Sequence, residues 1–230
     1  MIARHVAIIM DGNRRWARAR NLPIACGYRR GVTALRATLR AAQRAQVRIV
    51  TAYAFSEENW NRPSAEVDLL MGLCLRAASK ELRALRHEGV RVRLCGRGDR
   101  LPAATRRALQ DLVTATAGND DLTLNLAIDY GARREIGDAV RALAREVNDG
   151  LRSVESIDEL AVQSHLYTAG LPDPDLVIRT GGEFRLSNFL LFQAAYAEFW
   201  ATRTCWPDFG EEELRAALDD YASRQRRYGT

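Results

Sequence analysis

The sequence predicts an α/β fold: a central, mostly parallel sheet flanked by helices. Two observations carry this. Short, β-branched apolar runs alternate with longer segments of helical period along most of the chain. No internal repeat, low-complexity tract or Pro/Gly/Ser-rich linker interrupts the alternation, so residues 1–230 read as a single domain. With 47% of its 230 residues hydrophobic, the chain has apolar material for a sizeable core.

The elements follow in order. His5–Met10 is a short apolar run and the first predicted strand. Tyr28–Gln46 has helical period: Val32, Leu35, Leu39 and Ala42 recur at three- and four-residue steps, with Arg36, Arg40 and Arg44 on another face. Val47–Phe55 is a strand, Ala65–His87 a helix, Val90–Cys95 a strand, Pro102–Ala115 a helix, Leu122–Asp129 a strand and Ala132–Val147 a helix. The Pro172-Asp173-Pro174 turn leads into a strand at Asp175–Arg179. A Gly-Gly turn and an apolar stretch, Phe189–Trp200, come next. The chain closes on a helix, Glu211–Arg227, acidic at its start and basic at its end as the helix dipole favours.

Basic residues number 34 and acidic ones 29, a net +5, and Lys80 is the single lysine. A GC-rich genome accounts for the arginine bias but not for its distribution. Between Gly12 and Ser56 lie ten arginines and no carboxylate, a single-sign stretch that attracts nucleic acid, a membrane surface or a phosphorylated small molecule. For nucleic acid, stacking aromatics should interleave with the arginines, and the stretch offers only Trp16, Tyr28, Tyr53 and Phe55. Cys26, Cys74, Cys95 and Cys205 match no zinc or redox spacing and read as buried free thiols. The amino-terminal apolar run is too short for a signal peptide, and no stretch approaches a membrane span, so a cytoplasmic protein is expected.

In open α/β sheets, ligands gather outside the carboxyl ends of the strands. The first strand runs into Met10-Asp11-Gly12-Asn13-Arg14-Arg15-Trp16: a carboxylate able to hold Mg²⁺, a glycine, and a helix start offering N–H groups and two arginines to a phosphate. The same residues also suit an ordinary turn that caps a helix. The second strand ends in Ser56-Glu57-Glu58-Asn59-Trp60-Asn61-Arg62, where Ser56 and Asn59 fit helix capping as well as chemistry. The strand after Pro174 ends in Arg179-Thr180-Gly181-Gly182-Glu183-Phe184-Arg185-Leu186-Ser187. Its arginine forks and hydroxyl suit a second phosphate group around a flexible glycine pair, or a solvated surface turn. No GxxxxGK[ST] or GxGxxG loop occurs, which argues against the usual nucleotide sites. No GxSxG occurs and His5, His87 and His165 are scattered, which leaves a hydrolase triad unsupported.

Taken together, MDGN-x-RW, AFS-x-ENW-x-RP, RTGGE-x-RLSNFLL, AYAEF, WPDF and a terminal RQRRYG resemble the cis-prenyltransferases, typified by undecaprenyl diphosphate synthase, in the right order over essentially the whole chain. The resemblance implies a homodimeric α/β fold with a hydrophobic tunnel. It implies Mg²⁺-assisted ionisation of an allylic diphosphate, attack by the double bond of isopentenyl diphosphate, and proton loss to a Z double bond. Carried over residue by residue, Asp11 would hold Mg²⁺ with Glu198. Gly12, Asn13, Arg14, Arg15, Trp16 and Tyr28 would belong to the allylic diphosphate site, and Arg179, Arg185 and Ser187 would hold isopentenyl diphosphate. Ser56, Asn59, Trp60 and Arg62 would line the reacting centre. Release of a lipid product implies contact with a membrane surface.

Three positions depart from that pattern. Arg14 stands where the family usually has Gly, Ile24 where it has Arg, and Tyr28 where it has His. Tyr28 keeps a hydroxyl but supplies no positive charge near neutral pH. Similar changes occur in atypical members that couple two dimethylallyl-type units in a branched manner, so two readings stand. One is successive Z-elongation to a product longer than fifteen carbons, with small Ala54 leaving the tunnel open near the reacting end and Ile128 narrowing it deeper. The other is a short or branched product.

Overall fold

The computed structural model describes residues 2–224. Six strands form one sheet, β1 (His5–Ile9), β2 (Ile49–Ser56), β3 (Val90–Cys95), β4 (Leu122–Tyr130), β5 (Leu176–Arg179) and β6 (Glu198–Ala201), in the order β3-β4-β2-β1-β5-β6. Every neighbouring pair is parallel. The order reverses at β1, whose neighbours are β2 and β5, so a crevice opens there at the carboxyl ends of the strands.

Helices α1 (Asn13–Arg18), α2 (Ile24–Arg44), α3 (Ser64–His87), α4 (Ala103–Thr116), α5 (Ala132–Asn148), α6 (Glu159–Ser164) and α7 (Glu211–Ser223) complete the fold. Alternation along β1 divides the core: Val6 and Ile8 pack with residues of α2, α3, α4 and α7, while Ala7 and Ile9 pack with Tyr130, Phe189 and Ala132 on the opposite face. α2 begins four residues before the predicted start because Pro23, at φ −54°, sets its entry.

Two elements have no counterpart in the sequence reading. α6 spans six residues, too few to show a period, and rests on an Asp158 carboxylate that accepts from Ala161 N at 2.8 Å. β6 is hidden inside the apolar stretch Phe189–Trp200. Ser187, Asn188 and Leu190 take left-handed backbone angles (φ 50°, 62°, 47°) and turn Phe189 and Leu190 into the core before the chain extends at Glu198. The last helix ends at Ser223; Gln225–Arg227 and most of the RQRRYG block lie outside the described residues.

Candidate active site

The carboxyl end of β1 delivers Asp11. Its Oδ1 accepts from Gly12 N at 2.6 Å and lies 3.3 Å from Arg15 Nη2, while Oδ2 accepts from Arg179 Nη2 at 3.0 Å. The Asp11 carbonyl accepts from Thr180 Oγ1 at 2.6 Å and Trp206 N at 2.9 Å, so backbone and side chain are both fixed. Gly12, at φ 102°, begins α1 against Cys205. Asn13 presses onto α2, where a Cβ on Gly31 would stand 2.5 Å from Asn13 Oδ1; only glycine permits that approach.

Arg179 ends β5 and is 4% exposed. Its Nη1 donates to Ser187 Oγ at 2.7 Å and to the Arg185 carbonyl, and its shielded Nε has no acceptor. One guanidinium thus joins Asp11 to the Ser187 turn. The Gly181-Gly182 pair is less free than the sequence suggests. Gly181 N donates to Thr204 O and Gly182 N to Thr202 O, each at 2.8 Å, and Arg15 Nη2 lies where a Gly181 Cβ would point. With those N–H groups engaged, anion contacts at this end fall to side chains.

At the end of β2, Ser56 and Asn59 form a reciprocal cap on the 3₁₀ turn Glu57–Asn61, Ser56 N donating to Asn59 Oδ1 at 3.1 Å. Capping and chemistry coincide here, because both residues also face the cavity described below. Trp60 Nε1 donates to Asp129 Oδ1 at 2.8 Å, beside Arg100 Nε at 3.0 Å from the same oxygen. Arg62 Nη1 donates to the Tyr28 hydroxyl at 2.8 Å and to Glu66 Oε1 at 3.0 Å. Tyr28 in turn donates to Glu66 Oε1 at 2.6 Å, and Arg14 Nη1 lies 3.7 Å from Glu66 Oε2. Burial and the Glu66 carboxylate push the Tyr28 hydroxyl up to about 12. Burial pushes the Glu66 carboxyl up, but the Tyr28 hydrogen bond and the Arg62 and Arg14 charges outweigh it and hold the group below its ordinary range.

These strand ends open into a cavity of about 590 Å³. Its mouth carries Asp11, Asn13, Tyr28, Arg62, Arg179 and Ser187. Apart from Arg36 and Glu81 its walls are apolar: leucines and small residues of α2, α3 and α4 on one side, and Leu124, Leu126 and Ile128 of β4 on the other. A polar mouth with two arginines above an apolar chamber suits a molecule with an anionic head and a hydrocarbon tail. A family model described as "Putative undecaprenyl diphosphate synthase" matches residues 9–229. The chain belongs to that family of isoprenyl transferases. Curated relatives named isoprenyl transferase include one from Heliobacterium mobile, 48% identical over 99% of this chain and 88% of its own length. Another, from Porphyromonas gingivalis, is 49% identical over 100% and 90%. Among solved structures, lavandulyl diphosphate synthase from Lavandula x intermedia, in complex with dimethylallyl diphosphate, superposes with a TM-score of 0.94 at 34% identity, covering 100% of this chain and 99% of that one. A probable undecaprenyl diphosphate synthase from Campylobacter jejuni gives 0.82 at 31%, covering 99% of each.

The cis-prenyltransferase brings most of its sequence-predicted site residues together, but not all. Asp11, Asn13, Tyr28, Ser56, Asn59, Arg62, Arg179 and Ser187 line the cavity. Arg14 and Arg15 stand just outside it, tied to Glu66 and to Asp11. Trp16 turns away, its Nε1 donating to Asp208 Oδ1 at 2.7 Å with Arg20 over its ring. Trp60 supports the site through Asp129, and Arg185 reaches into solvent beside Glu183. Glu198 is not brought to Asp11 within one chain. Glu198 pairs in register with Leu176, and Leu176 with Val6, so Asp11 stands five residues further along, roughly 16 Å at the strand rise. Its Oε2 accepts instead from Arg224 at 2.6 Å.

Sequence reading missed Glu66 and Asp129. Glu66 lies four residues after Arg62, the spacing that pairs charges on a helix, and that was the available signal. Asp129 gives none: it is 2% exposed at the end of an apolar strand, and a shielded Oδ2 without partner marks it only once the fold is known. The long single-sign stretch also loses its character on folding. Arg14, Arg15, Arg20, Arg36, Arg40 and Arg44 each find a carboxylate from another segment.

Proposed function

We propose that this enzyme condenses isopentenyl diphosphate with an allylic diphosphate in successive, Mg²⁺-dependent Z-condensations, giving a product longer than fifteen carbons. The observation that carries the proposal is the apolar chamber behind the Asp11–Arg179–Ser187 mouth: a single five-carbon coupling does not call for a cavity of this volume. Among the described residues no cluster of three or more His, Cys, Asp or Glu could hold a metal unaided. That fits Mg²⁺, which binds through one or two carboxylates and takes its remaining oxygens from substrate phosphate and water. Asp11 is the carboxylate at the mouth. Glu198 would join it only from a second chain, in keeping with a homodimer.

In the reaction, the allylic C–O bond breaks and the diphosphate leaves with the electron pair. The double bond of isopentenyl diphosphate then forms the new C–C bond, and loss of a proton restores a double bond. When bound, Mg²⁺ neutralises charge that grows on the leaving diphosphate. The chain supplies the rest. Arg62 and Arg14, with the Tyr28 hydroxyl, face the allylic head, where Arg14 makes up for the cation missing at Ile24 and Tyr28. Arg179, with Ser187 and the long Arg185, faces the second diphosphate. Ser56 and Asn59 hold the reacting ends between the two heads, and the apolar walls take up the tail and exclude water. Arginines still exposed around the mouth would meet the anionic surface of a membrane on product release, and no helix among the described residues is long and apolar enough to cross one.

A second reading, branched coupling of two dimethylallyl units, draws on Tyr28, Ile24 and the likeness to lavandulyl diphosphate synthase. One assay separates them. Purified enzyme with Mg²⁺, labelled isopentenyl diphosphate and allylic diphosphates of five to twenty carbons should give a ladder of Z-products. A wild-type enzyme that stops after one coupling, or that yields a branched product from dimethylallyl diphosphate alone, overturns elongation.

A further inference from the structure

About two turns of α2 beyond Tyr28, two charged side chains interrupt the apolar lining: Arg36 of α2 and Glu81 of α3. Arg36 Nη1 lies 3.3 Å from Glu81 Oε2, and Arg36 Nη2 lies 3.6 Å from Glu88 Oε1. Neither Arg36 Nε nor Glu81 Oε2 has a formed hydrogen bond, and both atoms are shielded from solvent. The Arg36 side chain as a whole is 37% exposed and that of Glu81 18%, and both line the chamber. The pair closes a seam between two helices. Tyr28 and Glu66 bridge the same helices at the mouth; Arg36 is eight residues further along α2, about 12 Å at the helical rise.

We propose that the Arg36–Glu81 pair is a specificity-determining latch that limits product length. This rests on the elongation reading above. A hydrocarbon tail growing down the chamber displaces nothing unfavourable while it touches leucines. At the latch it meets an ion pair already short of hydrogen bonds, whose two unpartnered atoms are closed to water and have only the pair's own attraction to hold them. To extend further, the tail must part the pair, which leaves Glu81 without its partner and Arg36 with Glu88 alone. Such a barrier rises abruptly at one depth, whereas a merely narrowing apolar passage resists gradually.

The test replaces the pair with apolar side chains of similar length, Arg36→Met with Glu81→Leu, and compares product ladders with wild type at saturating isopentenyl diphosphate. The expected result is a shift to longer products. The fraction beyond the wild-type maximum should rise on the order of tenfold, the low end of what an uncompensated polar burial is worth. Arg44→Met with Glu211→Leu is the control: it breaks another ion pair of α2, at 2.7 Å, which does not line the chamber and touches neither Arg36 nor Glu81. Glu81→Gln, which keeps size but removes charge, should shift the ladder in the same direction by less and serves if the double variant fails to fold. An elongating enzyme whose ladder is unmoved or shortened, or a control that lengthens products equally, overturns the latch alone. A wild-type enzyme that stops after one coupling overturns the elongation reading and the latch with it.

Discussion

Replacing Asp11 by Ala should cost both turnover and stability, for one reason: Asp11 is the carboxylate that faces Arg179. That guanidinium is 4% exposed and keeps Ser187 Oγ and the Arg185 carbonyl in the variant, but loses its carboxylate at 3.0 Å. Breaking a fully buried pair costs about 3–5 kcal/mol. The Asp11 side chain is 32% exposed, and water reaching the gap lowers the cost to about 1–3 kcal/mol. In a chain of this size that is roughly 3–10 °C in Tm. On the reading proposed here, kcat should also fall by about a hundredfold or more, the scale of removing one group that stabilises charge in the transition state. Calorimetry with and without inorganic diphosphate, in the absence of Mg²⁺, tests the electrostatic part. An added anion restores a counter-charge to Arg179, so diphosphate should raise the variant's Tm by more than it raises that of wild type. A variant that melts with wild type and turns over fully in the presence of a chelator would refute this account of Asp11.

Three further outcomes are expected. Arg185→Ala should raise KM for isopentenyl diphosphate several-fold more than KM for the allylic partner, since Arg185 flanks the Ser187 end of the mouth; equal effects in steady-state kinetics would contradict that assignment. Ala54→Leu should shorten the product ladder, because Ala54 lines the chamber near the reacting end and several added heavy atoms have no room there; an unchanged ladder would remove Ala54 from the tunnel wall. Burial lowers the pKa of His5, and its contacts to Pro172 and Asp175 only partly offset this. The unfolded chain therefore binds the proton more readily, so stability present above about pH 6.5 is lost as pH falls below it. Urea denaturation at pH 5 and pH 7 should show a smaller gap for His5→Gln than for wild type, and an equal gap would show that His5 is not the group responsible.

The sheet is legible in the sequence because each of its long strands carries its own apolar run, and the strand-end rule gathers Asp11, Ser56, Arg179 and Ser187 from the sequence alone. β6 escaped because its four residues acquire strand character only by pairing with β5, and the left-handed turn at Ser187 and Asn188 that aims the chain there leaves no periodic trace. Glu198 shows a different limit: its role comes from a resemblance between chains, while its position here depends on how strands align. Tyr28 shows a third. Read alone, the residue is a lost cation; in the fold it is one member of a group with Arg62, Arg14 and Glu66, and its hydroxyl, pushed up to about 12, keeps its proton at every working pH. Tyr28→His would put a group that titrates near neutrality in that place. The imidazolium would add positive charge at the allylic head, and the bound diphosphate would favour that form, so affinity for the allylic substrate should rise as pH falls. The ratio of the variant's allylic KM to that of wild type, taken at each pH so that titration of the diphosphate cancels, should therefore decrease from about pH 8 to about pH 6. A flat ratio across that window would mean that the hydroxyl of Tyr28 faces Glu66 alone and that the allylic head binds elsewhere on the mouth.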